Sequence, residues 1–336
     1  MVTDSSAMPA GTTAAALLFP GQGAQFEGMG RDWAEAHAAA RETWAEADAT
    51  LGFSLSEACW SRGDEVNRTD IAQPGIYTVG VAIVRVLQAT QGLDLARVPL
   101  VAGLSLGEYT AHWAAGTFTF ADGLRLVRLR GEAMQAASEA RPSGMASLMG
   151  ATLEQAEALA AVGARHGICQ VANLNSPGQI VISGELAALD AAEAAAKEHG
   201  VRRVRRLVVA GAFHSECMRP AAERLQAALA ETALAAPRVP VLSNVTAAPV
   251  TTVAGVRATL GTQVCAPVLW ERSLRAALQQ GVRAFLEPGP GNVLTGMLGK
   301  IVEAVEAEAG PLQPPYSARS VAKPTDLAAA SASGQA

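Results

Sequence analysis

A sharp turn between a short apolar strand and a helix constrains this chain more than any other feature. Val98-Pro99-Leu100-Val101-Ala102 runs directly into Gly103-Leu104-Ser105-Leu106-Gly107, and Glu108 opens a helix that continues to Ala115. G-x-S-x-G in that setting is a nucleophile elbow. The turn is so tight that side chains at the glycine positions would clash. Ser105 is then held in a strained conformation with its hydroxyl above the sheet. The following helix points its free N–H groups and positive dipole end at the same spot. The backbone N–H of Leu106 is the natural donor to an oxyanion formed there.

The rest of the chain places that elbow in an α/β protein. Ala15–Phe19 is apolar and ends in the turn Pro20-Gly21-Gln22-Gly23. Trp33, His37, Ala40 and Trp44 fall at helical spacing and predict one helix over Asp32–Thr50. Ile76–Leu87 and Ala121–Ala137 read as further helices, and Val239–Ser243 and Ala284–Glu287 as buried strands. Alternating strands and helices predict a parallel sheet with covering helices. Between Gly144 and Val209 the order is β-α-β-β-α-β, the pattern of a ferredoxin-like module. The expected architecture is therefore an α/β-hydrolase-like large domain over 14–140 and 209–308, with a ferredoxin-like small domain inserted over 141–208. The cleft between them is where a small-molecule site is expected. Residues 1–13 are expected to be flexible. Residues 309–336, rich in Pro, Ser and Ala, are expected to form a disordered tail.

Composition narrows the function classes. The net charge of -5 argues against a nucleic-acid binder. No stretch approaches the roughly 20 uninterrupted apolar residues of a membrane span. The N-terminus lacks the basic region and apolar core of a signal peptide. Cys59, Cys169, Cys217 and Cys265 are widely spaced with no clustered His, so neither a zinc site nor a disulfide framework is expected. Reduced thiols in a cytoplasm fit better.

A serine hydroxyl needs a neighbouring base to become a nucleophile. Of five histidines, His37 and His112 fall within helices, and His166 and His199 lie in polar, Gly-flanked turns. His214, in Val-Val-Ala-Gly-Ala-Phe-His-Ser, follows an apolar strand in a loop, where catalytic bases are commonly found. No Asp occupies an obvious strand-end loop between Ser105 and His214. A dyad whose imidazole is oriented by a carbonyl would need none. Gln22, between two glycines at a strand end, can present an amide or a backbone N–H to an oxyanion.

Six motifs in order give the chain a wider resemblance. LFPGQGAQ (18–25), GLSLGEYTA (103–111), LVRLRGEAM (126–134), NLNSPGQIVISG (173–184), AGAFHS (210–215) and EPGPGNVLTG (287–296) resemble the malonyl-CoA:acyl-carrier-protein transacylase family. That family includes the acyltransferase domains of polyketide synthases. The resemblance runs from about Ala15 to Val305 and implies roles residue by residue. Ser105 becomes acylated, and His214 is the general base and later the acid. Gln22 and the N–H of Leu106 line the oxyanion hole. Gln263 orients His214 through its backbone carbonyl. Arg130 holds the free carboxylate of malonyl, Asn173 lines the same pocket, and Phe213 disfavours an α-methyl branch. A guanidinium fork suits a carboxylate in a way lysine cannot copy. Arg125 and Arg128, on the same predicted helix, read as surface residues.

The implied activity is ping-pong transfer of malonyl from malonyl-CoA to the phosphopantetheine thiol of acyl carrier protein, without metal or redox cofactor. It would supply fatty-acid or polyketide synthesis. Proteins of this kind mostly work as monomers. One departure matters: the residue before the nucleophile is commonly His in this family and is Leu104 here. Relatives with Leu there include malonyl transferases and also acyl hydrolases that clear carrier proteins in polyketide assembly, so hydrolysis stays open as the alternative. Arg202, Arg203, Arg205 and Arg206 form the one dense basic run. It suits the acids of a carrier protein or the phosphates of coenzyme A, and equally a strand edge protected by charge.

Overall fold

The computed structural model describes residues 15–327, so the stretch expected to be flexible at the N-terminus lies outside the described residues. Its first half comprises β1 (Ala16–Phe19), α1 (Arg31–Ala36), α2 (Ala38–Leu51), α3 (Leu55–Trp60), α4 (Thr69–Gln91), β2 (Val101–Gly103), α5 (Gly107–Ala114) and α6 (Phe120–Ala140). Then come β3 (Ser143–Met149), α7 (Leu153–Gly163), β4 (Cys169–Ser176), β5 (Gln179–Glu185), α8 (Leu186–Ala195) and β6 (Arg203–Arg206). The chain continues through α9 (Arg219–Glu231), β7 (Val241–Leu242), β8 (Pro249–Val250), α10 (Val253–Thr262) and α11 (Trp270–Gln279). It closes with β9 (Ala284–Pro288), α12 (Val293–Ala309) and β10 (Ser317–Val321).

Two sheets result. The larger runs β10-β9-β1-β2-β7-β8, parallel throughout except for the antiparallel β7–β8 edge. On β1, Leu17 and Phe19 enter one apolar cluster with Trp33, Trp44 and Tyr77, while Ala16 and Leu18 enter another with Trp270, Leu274 and Leu298. Both faces are thus covered, which is how a parallel sheet buries its strands. Helix α4 is long and apolar enough by composition to cross a membrane, but it is buried inside the protein. It packs along α6, and this pair forms one wall beside the elbow.

The smaller sheet runs β4-β5-β3-β6 and is antiparallel. With α7 and α8 it has the expected β-α-β-β-α-β order. Strand period sorts its side chains. Leu148, Ile180 and Ile182 meet Leu159 and Leu189 of the two helices, while Met145 and Val181 face the opposite way. There they join Met134 of α6, Phe213, and Leu225 of α9 in one apolar cluster. That cluster fastens the small sheet to the wall carrying Arg130.

Two expectations need correction. The helix predicted over Asp32–Thr50 is two helices, broken at His37, whose backbone is extended (φ -131°, ψ 130°). The break leaves Trp33 and Trp44 both buried, so the apolar periodicity reads through it. The tail expected to be disordered from 309 contributes β10, which pairs with β9 over five residues. Its backbone completes an otherwise open sheet edge, an ordering force that needs few large side chains. Val321 is fully buried, and the carbonyls of Ala322 and Leu327 accept from the Trp33 indole and the Gln91 amide. Residues 328–336 lie outside the described residues.

Candidate active site

The site forms where β1, β2 and β7 reach their carboxyl ends side by side. Phe19 is in register with Gly103, and its carbonyl accepts from Leu104 N–H at 3.0 Å. Ser105 sits at φ +53°, in the left-handed region that a residue with a side chain adopts at a cost. The flanking glycines are required by contact. A Cβ on Gly103 would lie 1.9 Å from the Gly107 carbonyl carbon, and one on Gly107 would lie 2.0 Å from Phe19 O. Helix α5 starts at Gly107, and among the described residues the Leu106 N–H donates to no protein acceptor.

His214 approaches from the loop between β6 and α9. It is 4 % exposed and also left-handed, at φ +58°. Its Nε2 lies 2.7 Å from Ser105 Oγ, and its Nδ1 lies 2.9 Å from the backbone carbonyl of Gln263. A carbonyl can only accept, so Nδ1 carries the proton and Nε2 is left bare toward the serine. Burial, and next the charge of Arg130, push the imidazole pKa down to about 4, against the hydrogen bonds it makes to the backbone of Gln263 and Ala266, which raise it. At neutral pH the ring is therefore uncharged and able to take a proton.

Arg130 comes from the middle of α6 and is 1 % exposed. Its Nη2 donates to Ser105 Oγ at 2.9 Å and to Gln263 Oε1 at 3.0 Å, and its Nη1 donates to Gln73 Oε1 at 2.8 Å. The guanidinium carbon stands 5.6 Å from the centre of the Tyr109 ring. Nε has no partner, and among the described residues Arg130 forms no salt bridge. Burial lowers its pKa below the ordinary guanidinium value. Arg125 is exposed and pairs with Asp122, as a surface group does, whereas Arg128 is partly buried: it pairs with Asp70 and Glu132 and stacks on the Phe53 ring.

Three buried residues complete the arrangement without having been singled out in the sequence. Gln73, from α4, links Arg130 to Gln22, whose Oε1 accepts from Gln73 Nε2 at 3.3 Å. Glu108 accepts from Gln263 Nε2 at 2.5 Å. Burial pushes its pKa up to about 7, opposed by its hydrogen bonds to Gln263 and Asn244. Asn244, after β7, bonds the elbow backbone. Glu108 could have been found, since it directly follows the elbow; the other two carry no local signal.

Of the residues named from sequence, Ser105, His214, Arg130 and Gln263 are joined by direct hydrogen bonds. Gln22 joins them through Gln73, and its Nε2 lies 3.4 Å from Thr69 Oγ1. Phe213 is buried in the cluster containing Met134, one turn of α6 beyond Arg130. Asn173 is buried on β4 beside Val181 and bridges Val268, and it hydrogen bonds to none of the four. Arg202 to Arg206 lie on and beside β6, at the edge of the small sheet. Arg206 pairs with Asp190 and Glu193, whereas Arg202, Arg203 and Arg205 are exposed. The Glu287 carboxylate accepts the first N–H groups of α12, from Leu294 and Thr295, so that glycine-rich turn is already filled by an anion. Among the described residues no group of three or more His, Cys, Asp or Glu side chains could hold a metal ion.

Comparisons with known proteins converge on one chemistry. Residues 16–335 match the family model described as acyl transferase domain. The chain is 40% identical to the malonyl CoA-acyl carrier protein transacylase of Bacillus subtilis over 288 residues, 85% of this chain and 90% of the relative. The crystal structure of malonyl-CoA:acyl carrier protein transacylase from Xanthomonas oryzae superposes with a TM-score of 0.86 at 39% identity, covering 95% of this chain and 98% of that one. A type II PKS acyl-carrier protein in complex with its malonyl-transacylase gives a TM-score of 0.87 at 35% identity, covering 94% and 98%.

Proposed function

The chain belongs to the acyl transferase domain family, and on that premise we propose that it moves malonyl groups from malonyl-CoA to the phosphopantetheine thiol of an acyl carrier protein. The observation that carries this reading is Arg130, a buried guanidinium without a carboxylate partner, 2.9 Å from the same Ser105 Oγ that lies 2.7 Å from His214 Nε2. A malonyl thioester has a carbonyl for the serine and a free carboxylate for the arginine. Two charge-assisted hydrogen bonds at about 1.5–3 kcal/mol each favour malonyl over acetyl by at least about 100-fold.

In the first half-reaction the Ser105 Oγ–H proton passes to His214 Nε2 as Oγ forms a bond to the thioester carbon. The Gln263 carbonyl, holding Nδ1–H, keeps the ring in the required tautomer and steadies the imidazolium. The oxyanion is received by the N–H of Leu106 and by Gln22. Because the Gln22 side chain is engaged with Gln73 and Thr69, its backbone N–H is the donor. The C–S bond then breaks, and His214 returns the proton to the coenzyme A thiolate. In the second half-reaction His214 takes the thiol proton of the carrier arm, sulfur attacks malonyl-Ser105, and Ser105 regains its proton. Only the two substrates and these side chains enter the balance. Phe213 directly precedes His214 in the chain, and on this reading its bulk opposes a methyl branch on the acyl α-carbon.

We place this activity in the cytoplasm, since all four cysteines are unpaired. The test is intact-protein mass spectrometry after mixing with malonyl-CoA. The reading expects a malonyl adduct that is absent from Ser105→Ala and is discharged onto an added holo carrier protein. An adduct lost to water as fast without the carrier as with it would make the protein an acyl hydrolase instead.

A further inference from the structure

Two fully buried side chains hold the strained elbow while taking no part in the acyl-transfer steps. Asn244 Oδ1 accepts from Ser105 N–H at 2.6 Å, and its Nδ2 donates to the Gly103 carbonyl at 2.7 Å. One side-chain amide thus binds the backbone on both sides of Leu104. Its own N–H donates to Glu108 Oε2 at 3.2 Å, and its carbonyl accepts from Leu269 N–H at 2.8 Å. Glu108 stands in the first turn of α5. The same Oε2 receives Gln263 Nε2 at 2.5 Å, and that Nε2 also donates to Ser105 O at 3.0 Å. The elbow, the loop after β7 and the segment that presents a carbonyl to His214 therefore meet at one carboxylate oxygen.

As a stability device this arrangement is poor. A carboxyl group taken wholly out of water carries a large desolvation cost. Only one of its oxygens is bonded, since Oε1 has no partner. Apolar packing of the same volume would be at least as stable. What the carboxylate and amide do supply is direction. They hold Ser105 in its left-handed conformation, in which the next N–H, that of Leu106, has no protein acceptor among the described residues.

We infer that Asn244 and Glu108 are positioning residues of the acylation step, fixing Ser105 Oγ and the Leu106 N–H relative to His214 before substrate arrives. The inference rests on the reading of Ser105 as nucleophile and His214 as base. It does not depend on the identity of the acyl group.

The experiment compares two acylating reagents on wild type, Asn244→Ala, Glu108→Ala and Glu108→Gln. One reagent is malonyl-CoA; the other is phenylmethanesulfonyl fluoride, a neutral serine reagent. Rates are scaled to the folded fraction read from thermal unfolding. Asn244→Ala is expected to slow both reagents by about 30- to 100-fold, the effect of misplacing reacting groups by less than an ångström or so. The KM for malonyl-CoA should stay within about threefold, because Asn244 does not touch Arg130. Glu108→Ala should fall similarly, and Glu108→Gln should recover most of that loss, since an amide oxygen can accept where Oε2 does. If Asn244→Ala does not fold, Asn244→Asp keeps the acceptor for Ser105 N–H, removes the donor to Gly103, and serves the same comparison. A rate per folded molecule within about threefold of wild type, or a loss confined to KM, overturns the inference. Failure of wild-type Ser105 to react with either reagent would instead remove the nucleophile reading on which it stands.

Discussion

Arg130 and Arg206 have the same side chain in opposite circumstances. Arg206, on the edge strand of the small sheet, reaches two carboxylates, Asp190 and Glu193, on the neighbouring helix. Arg130, buried between α6, α4 and the elbow, has amides, a hydroxyl and an aromatic face but, among the described residues, no carboxylate partner. The first is an ordinary surface pair, worth a few tenths to about 1 kcal/mol. The second keeps a cation out of water with neutral acceptors, which costs stability and leaves charge uncompensated. The difference bears on where the proposed selectivity would reside: a buried guanidinium without an anion is the place proposed here for a ligand's anion. Glu108 is the nearest acid linked to it, through Gln263, and burial keeps part of its population protonated at neutral pH.

The most direct way to break this comparison is to give Arg130 the partner that Arg206 has. Gln73→Glu puts a carboxylate on Nη1. It is expected to lower kcat/KM for malonyl-CoA by about 100-fold while leaving acylation by acetyl-CoA within about tenfold, as steady-state assays would show. Arg130→Lys keeps charge but loses the fork, and about a 30-fold fall in malonyl kcat/KM is expected.

A pH measurement sharpens the electrostatic side. Glu108 is raised from 4.5 to about 7 in the folded protein. The folded state therefore holds a proton that the unfolded state releases across that window. Stability contributed below pH 4.5 is lost as pH rises toward 7. Thermal unfolding should show wild type losing ground to Glu108→Gln between pH 4.5 and 7, and keeping a constant offset above it. For His214, lowered to about 4, the neutral ring is the form that can serve as the proposed base. Acylation rates on the folded protein should accordingly hold through pH 5 and halve only near pH 4. The smallest effect belongs to the surface pair: Arg206→Ala should change unfolding free energy by no more than about 1 kcal/mol and leave malonyl-Ser105 formation unchanged.

How much of this could be read beforehand depended on range. The elbow is legible because its strain is written locally: two glycines must bracket Ser105 where Cβ atoms would strike backbone. The β-α-β-β-α-β order is legible because period-two and helical patterns alternate cleanly over residues 143–206. His214 emerged once a nucleophile demanded a base. Gln73 and Asn244 did not, since each reaches the site from 57 and 139 residues away and no local pattern marks a buried amide. The strand at Ser317–Val321 was missed for a related reason. Its order comes from backbone hydrogen bonds to β9, which composition does not register. The break at His37 was missed because the burial of Trp33 and Trp44 preserves a helical spacing across it.

The central claim is that Arg130 selects the acyl group, and a competition tests it most directly. Wild type and Arg130→Ala are each mixed with equal malonyl-CoA and acetyl-CoA, and the masses on Ser105 are read at early times. The account predicts a predominantly malonyl adduct in wild type and a predominantly acetyl adduct in the variant, a reversal of about 100-fold or more in the ratio. A malonyl excess that survives in Arg130→Ala would contradict it.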